Sequence, residues 1–190
     1  MAPLRWALLP VLLLAAGTPA RADPVTRWRA HVEEASARFG VPAEWIETVM
    51  RAESGGRTTL AGAPIVSRAG AMGLMQLMPA TWTDMRGRLG LGDDPHAPRD
   101  NILAGTLYLR LMYERFGYPG LFAAYNAGPA RYAAVLAGRA RLPAETRAYL
   151  ADVAGRDGSS RPMRPVRDAS PLAGAREASG AIFFLCSEPE

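Results

Sequence analysis

Apolar residues recur along most of the chain at three- and four-residue spacings, the mark of helices buried on one side. Thr26 is placed to cap a helix that turns Trp28, Val32, Ala35 and Phe39 inward and stops at Gly40. Pro42 suits the first turn of a second helix carrying Trp45, Ile46, Val49 and Met50. Pro79 opens a third, with Trp82, Met85 and Leu89 apolar and Gly90 after it. Asp100 is placed as the N-cap of the longest helix, Asn101 to Phe116, which Gly117 ends. Leu103, Leu107, Leu111 and Phe116 form its expected buried stripe. Shorter helical runs follow at 120–127, 130–137 and 143–153. Strand signals are confined to Ala61 to Val66 and Ala181 to Leu185, and no internal repeat is found. The expected class is mainly α.

The two ends differ from this pattern. Arg5 precedes an apolar run, Trp6 to Gly17, and Ala20-Arg21-Ala22 reads as a small-residue cleavage site. Residues 1–22 are therefore expected to be a secretory signal peptide, too short and Pro10-interrupted for a retained span. No cysteine follows the run to accept a lipid, so no stable membrane anchor is expected. Residues 23–154 form the expected domain. Residues 155–190 turn rich in Gly, Ser, Pro and Arg and read as a flexible tail, apart from the apolar patch Ala181 to Cys186.

Composition narrows the class. The chain of 190 residues is 49% apolar and 21% charged, enough for one ordinary core. A single cysteine, Cys186, excludes an intramolecular disulfide framework and a cysteine zinc site. All 22 basic residues are arginine. Without Arg5 and Arg21 the chain holds only two more arginines than acids, too balanced for nucleic-acid binding. His31 and His96 have no ligand-spaced partner and read as surface residues; neither a metal nor another cofactor is expected.

The candidate chemistry begins at Glu53. Ile46, Val49 and Met50 precede it by helical spacings, so it lies on the apolar face at the helix end, just before Ser54-Gly55-Gly56. A carboxyl held there loses water, its pKa rises, and it suits a general acid. An isolated glutamate at a helix end is ordinarily a solvated one. The context changes that weighting. Ser67 to Pro79 contains Gly73-Leu74-Met75-Gln76-Leu77-Met78-Pro79; Asn101 to Gly105, Tyr108-Leu109 and Ala124-Tyr125-Asn126-Ala127-Gly128 follow.

This order of blocks, over about residues 28–153, resembles the soluble lytic transglycosylase family. A weaker fifth block, Pro143 to Tyr149, looks like that family's closing helix. The resemblance implies a small lysozyme-like domain of the goose-lysozyme type with a catalytic groove. It implies cleavage of the β-1,4 bond between N-acetylmuramic acid and N-acetylglucosamine in peptidoglycan glycan strands, with 1,6-anhydro ends. Glu53 matches the catalytic glutamate. Ser54, Gly73, Met75, Gln76, Tyr125, Asn126 and Tyr149 match substrate-binding positions. Ser54 is expected to bond near the glutamate or the sugar. Gly70 and Gly73 would admit the sugar close to the backbone. Packing alone explains Leu74, Leu77 and Met78, and serves equally for Met75.

Most glycosidases need two carboxylates. Asp84, Asp93, Asp94 and Asp100 are the nearby candidates, and none lies in a matching block. The resemblance removes the need, since the substrate's own 6-hydroxyl attacks the anomeric carbon. The alternatives are a hydrolysing lysozyme and a non-catalytic wall-binding or assembly protein. A small exported domain of this kind also resembles members that serve conjugation or secretion machines. Arg57 to Val66 departs from the family's aromatic-containing stretch after the glutamate, leaving the groove's detail there open.

Overall fold

The computed structural model describes residues 23–156 and Met163. The expected signal peptide, Cys186 and the Ala181 to Cys186 patch lie outside them. Among the described residues there are seven helices and one small hairpin: α1 Arg29–Phe39, α2 Ala43–Glu53, α3 Pro79–Leu89, α4 Pro98–Phe116, α5 Gly120–Ala127, α6 Pro129–Leu136 and α7 Ala144–Arg156. The hairpin pairs β1, Thr59–Leu60, with β2, Ala63–Pro64, antiparallel. It occupies part of the expected extended stretch from Ala61 to Val66. No helix among the described residues is long and apolar enough to cross a membrane.

Helix ends follow local chemistry. Gly40 and Gly90 both take left-handed conformations, at φ 65° and 63°, and close α1 and α3. Two ends differ from expectation. Thr26 caps no α-helix; it sits in a single 3-10 turn, Thr26–Trp28, and its hydroxyl donates to the Asp23 carbonyl. Asp100 is not the N-cap of α4. Pro98 opens that helix two residues earlier, and the Asp100 carboxylate instead accepts the Gly92 N–H at 3.1 Å.

Helix α4 is the axis of the domain. It packs against α1, α3 and α5. Asn101 to Leu107 are all buried, so this stretch has no solvent face. Trp45 of α2 joins an aromatic cluster with Tyr113, Tyr118 and Phe122. Helix α7 lies against α2 and α5, which brings its residues to the C-terminal end of α2. It continues to Arg156, and Met163 packs on the core with its sulfur 3.7 Å from Arg110 Nη1.

Candidate active site

Glu53 is the last residue of α2, whose Trp45, Ile46, Val49 and Met50 are buried. The amphipathic face thus carries the carboxyl to the edge of the core. Burial pushes its pKa up from 4.5 to about 7; Tyr149 nearby lowers it and the charge of Glu145 raises it. A group with that acidity is exchanged between both protonation states near neutral pH.

Two phenols flank it. Tyr125 of α5 is buried, and the charge of Glu53 adds to burial in holding its pKa well above the ordinary value. Its hydroxyl donates to the Met75 carbonyl at 2.8 Å, and its ring lies against Tyr108. Tyr149 of α7 is also raised, by burial first and by Glu53 next. Its buried hydroxyl stands close enough to the Glu53 carboxyl to act on its acidity but meets no partner at full hydrogen-bond geometry. Both phenols stay neutral donors at ordinary pH.

The loop after β2 is tied to this centre by its backbone. Met72 and Leu77 exchange backbone hydrogen bonds at 2.9 and 3.0 Å and close a four-residue turn, Gly73 to Gln76. Three side chains from three elements grip that turn. Ser54 hydroxyl donates to the Leu74 carbonyl at 2.7 Å and accepts the Gly56 N–H at 3.2 Å. Asn101 Oδ1 accepts the Met75 N–H at 2.8 Å, while its amide donates to the carbonyls of Met72 and Pro95. Tyr125 holds the Met75 carbonyl. Gln76 is held at φ 47°, an uncommon conformation for a residue with a Cβ, and its amide donates to the Gly73 carbonyl.

This geometry corrects several expected roles. Met75 is fully buried, so its peptide is gripped and its side chain packs in the core. Ser54 is buried and fastens the acid's helix end to the turn; its hydroxyl does not face an open groove. Gly73 makes room for protein, not sugar: a Cβ there would stand 2.3 Å from Asn101 Nδ2 and 2.6 Å from the Pro95 carbonyl oxygen. At Gly70, φ is +89° and the space is open. Gln76 and Asn126 remain half-exposed. Asn126 makes no side-chain hydrogen bond among the described residues. His96 is less exposed than expected, and its Nδ1 is buried without a partner.

The four aspartates considered as second acids are engaged elsewhere. Asp84 pairs with Arg88, Asp93 with Arg86 and Asp100 with Arg99, while Asp94 accepts the His96 N–H. The carboxylate whose charge reaches Glu53 is Glu145, in the first turn of α7. Sequence spacing pointed to neither Glu145 nor Asn101 as parts of the centre. Both sit in blocks that resemble the family, and that was the available signal.

A further clamp lies behind the acid. Trp28 Nε1 and Arg27 both donate to the Gly56 carbonyl, and Arg51 pairs with Asp23. Gly56 has φ +70°, and a Cβ there would come within 2.8 Å of the Val25 nitrogen.

The sequence model of the Transglycosylase SLT domain matches residues 30–146. The chain is 34% identical over 128 residues to the endo-type membrane-bound lytic murein transglycosylase A of Klebsiella pneumoniae, covering 57% of this chain and 60% of that one. It is 31% identical over 172 residues to the transglycosylase of Enterobacteria phage PRD1, covering 86% of this chain and 57% of that one. The 70 kDa soluble lytic transglycosylase of Escherichia coli superposes with a TM-score of 0.58 at 30% identity, over 68% of this chain and 23% of the larger one. The chain therefore spans less than two thirds of each of these proteins. With the domain match covering Glu53, the gripped turn and Tyr125 together, the chain belongs to the transglycosylase SLT-domain family.

Proposed function

We propose that this chain is a peptidoglycan lytic transglycosylase that cleaves the β-1,4 bond between N-acetylmuramic acid and N-acetylglucosamine. The observation that carries the reading is Glu53 itself: one carboxyl, its pKa pushed up to about 7, between two neutral phenols. Protonated Glu53 gives its proton to the glycosidic oxygen as the bond to the muramic C1 breaks. The resulting carboxylate then takes the proton of the muramic 6-hydroxyl as that oxygen bonds to C1. The product is a 1,6-anhydro sugar, no water is consumed, and Glu53 ends protonated as it began. Intramolecular attack has a large effective-molarity advantage over water, and the aspartates that would serve as a second acid are tied up in other contacts. The amides of Gln76 and Asn126 offer partners to sugar hydroxyl and N-acetyl groups, and Tyr149 orients the carboxyl. The reaction takes place on the wall, outside the cytoplasm, after export through residues 1–22.

Digestion of peptidoglycan in heavy-oxygen water tests the mechanism. Anhydromuramic products without label are expected. Label at the muramic C1 of most products would mean hydrolysis, and Glu145 would then be the acid to test as the base for water.

A further inference from the structure

The segment from Asp23 to Trp28, ahead of α1, is fastened to the end of α2 at two points. The first is Arg51, two residues before Glu53, whose Nε and Nη2 reach Asp23 Oδ2 at 2.8 and 2.7 Å. The second is Gly56, three residues after Glu53. Its carbonyl oxygen accepts from Trp28 Nε1 at 2.9 Å and from Arg27 Nη2 at 2.6 Å. The two fastenings therefore bracket the acid in sequence. The Arg27 guanidinium also lies over the Trp28 ring, 4.9 Å from its centre, and the His31 ring stacks on the indole. Val25, within the same segment, is fully buried. Its nitrogen and the Pro24 carbonyl oxygen lie so near Gly56 that an added Cβ would meet them at 2.8 and 3.0 Å.

Gly56 belongs to the stop of α2. The Ser54 N–H donates to the Met50 carbonyl at 3.1 Å and the Gly55 N–H to the Arg51 carbonyl at 3.2 Å. The Gly56 N–H turns back to the Met50 carbonyl and to the Ser54 hydroxyl. These bonds close the helical turn that carries Glu53. Gly55 and Gly56 both have positive φ, and a glycine pair has the least backbone resistance to movement. The Gly56 carbonyl is where that freedom is removed. A carbonyl oxygen has two lone pairs, and here both are filled, which fixes the plane of the peptide as well as its position. Glu53 stands half-buried beside it, so a small shift of the helix end carries its carboxyl into water.

We infer that Asp23 to Trp28 is a strap that positions the Glu53 carboxyl, with Trp28 and Arg27 as positioning residues acting through the Gly56 carbonyl. The inference rests on the proposed function and adds residues to it that lie outside the groove. Neither side chain takes part in bond cleavage. Both hold the end of α2 so that the acid keeps its place at the edge of the core.

The test uses the full chain and two readouts. One is the rate of anhydromuropeptide release. The other is the titration of the Glu53 carboxyl by carbon-13 NMR, assigned by its loss in Glu53→Gln. Trp28→Phe keeps an aromatic ring and removes the N–H donor. It is expected to lower kcat about ten-fold with KM unchanged, a part of the roughly 100-fold that a misplacement of about 1 Å can cost. The Glu53 pKa should fall by roughly 0.5–1, because a looser carboxyl gains water. The other groups coupled to Glu53 stay in place: Tyr149 and Glu145 of α7 and Tyr125 of α5. Arg27→Gln should move the pKa the same way by less. Loss of a cation would by charge alone push it up, so a fall in this variant reports movement. Phe116→Leu, which weakens the ring contact between Phe116 of α4 and Tyr132 of α6, is the control. It should lower the melting temperature and leave kcat and the titration unmoved. An unmoved Glu53 titration in Trp28→Phe, or an equal fall in Phe116→Leu, overturns the strap. So does a raised KM at native kcat, which would assign the segment to substrate binding. If Trp28→Phe does not fold, the exposed Arg27→Gln decides by the same titration. Anhydro products from the native chain with an unmoved titration remove only the strap. A shifted titration in a chain that releases no anhydro products leaves the strap and removes the proposed function.

Discussion

The Tyr125 hydroxyl donates to the Met75 carbonyl at 2.8 Å across fifty positions of sequence. One contact thereby joins the helix that follows the longest element to the turn that precedes it, at the edge of the acid. The N–H of the same residue is held by Asn101 Oδ1. The turn's shape is therefore imposed from outside, and Gln76 is kept in a conformation it would not choose alone.

Tyr125→Phe is expected to lower stability by about 1–2 kcal/mol, because it leaves a buried carbonyl without its donor. Cleavage should fall more than the melting temperature implies, since the freed turn borders Glu53. Thermal melts and muropeptide release measured on the same preparation check this. An unchanged melting temperature would show that the bond contributes nothing.

Glu53→Gln should reduce wall cleavage by at least ~100-fold, the lower range for loss of a positioned acid and base. The fold should persist, because the amide matches the carboxyl in shape. Circular dichroism and muropeptide analysis separate the two effects.

The raised pKa of Glu53 also links the site to stability. Native Glu53 holds its proton up to about pH 7, while the unfolded chain releases it near 4.5. Stability is therefore unaffected by this group below pH 4.5 and declines as pH rises from there to about 7. The full cost above pH 7 is at most about 3 kcal/mol from the size of the shift, and less because Glu53 is partly exposed. Glu53→Gln should accordingly melt higher than the native sequence at pH 8 and at the same temperature at pH 4. Cleavage should lose its acid and fall as pH passes 7. Melting curves and rates across pH 4–9 provide both readings.

Gly73→Ala and Gly70→Ala form a controlled pair. Both glycines have positive φ, but only the Cβ at Gly73 would strike Asn101 and the Pro95 carbonyl. Gly70→Ala should cost about 1 kcal/mol for its backbone conformation alone. Gly73→Ala should cost a further 1–3 kcal/mol from overpacking. Denaturant midpoints compare them directly, and equal values would mean that the crowding around Gly73 is relieved cheaply.

Much of the fold was legible because its punctuation is local. Gly40 and Gly90 mark the helix ends where they were expected, and the apolar spacing of α2 placed Glu53 correctly on the core side. The start of α4 was misread because Asp100 is a good cap in isolation, although Pro98 two residues earlier carried the stronger first-turn signal. The roles of Ser54 and Gly73 were only partly legible, and packing was one of two equal readings for Met75. Each depends on which distant group arrives opposite it: Leu74, Asn101 and Tyr125 respectively. Glu145 escaped for the same reason, since α7 reaches the end of α2 only after the whole bundle has closed. The Trp28 bond to Gly56 joins positions 28 residues apart, and no spacing rule connects them.

The contact between Gly105 and Met75 bears on how such a chain can change over time. A Cβ at position 105 would stand 2.5 Å from the Met75 sulfur. Shortening the side chain on the turn removes the sulfur but keeps the Met75 Cβ, which would stand 2.7 Å from the added atom. Drift at position 105 is therefore blocked by more than side-chain length at position 75, and a larger residue on α4 also requires the turn's backbone to move. Libraries that pair a smaller residue at 75 with alanine at 105 should still score position 105 as glycine.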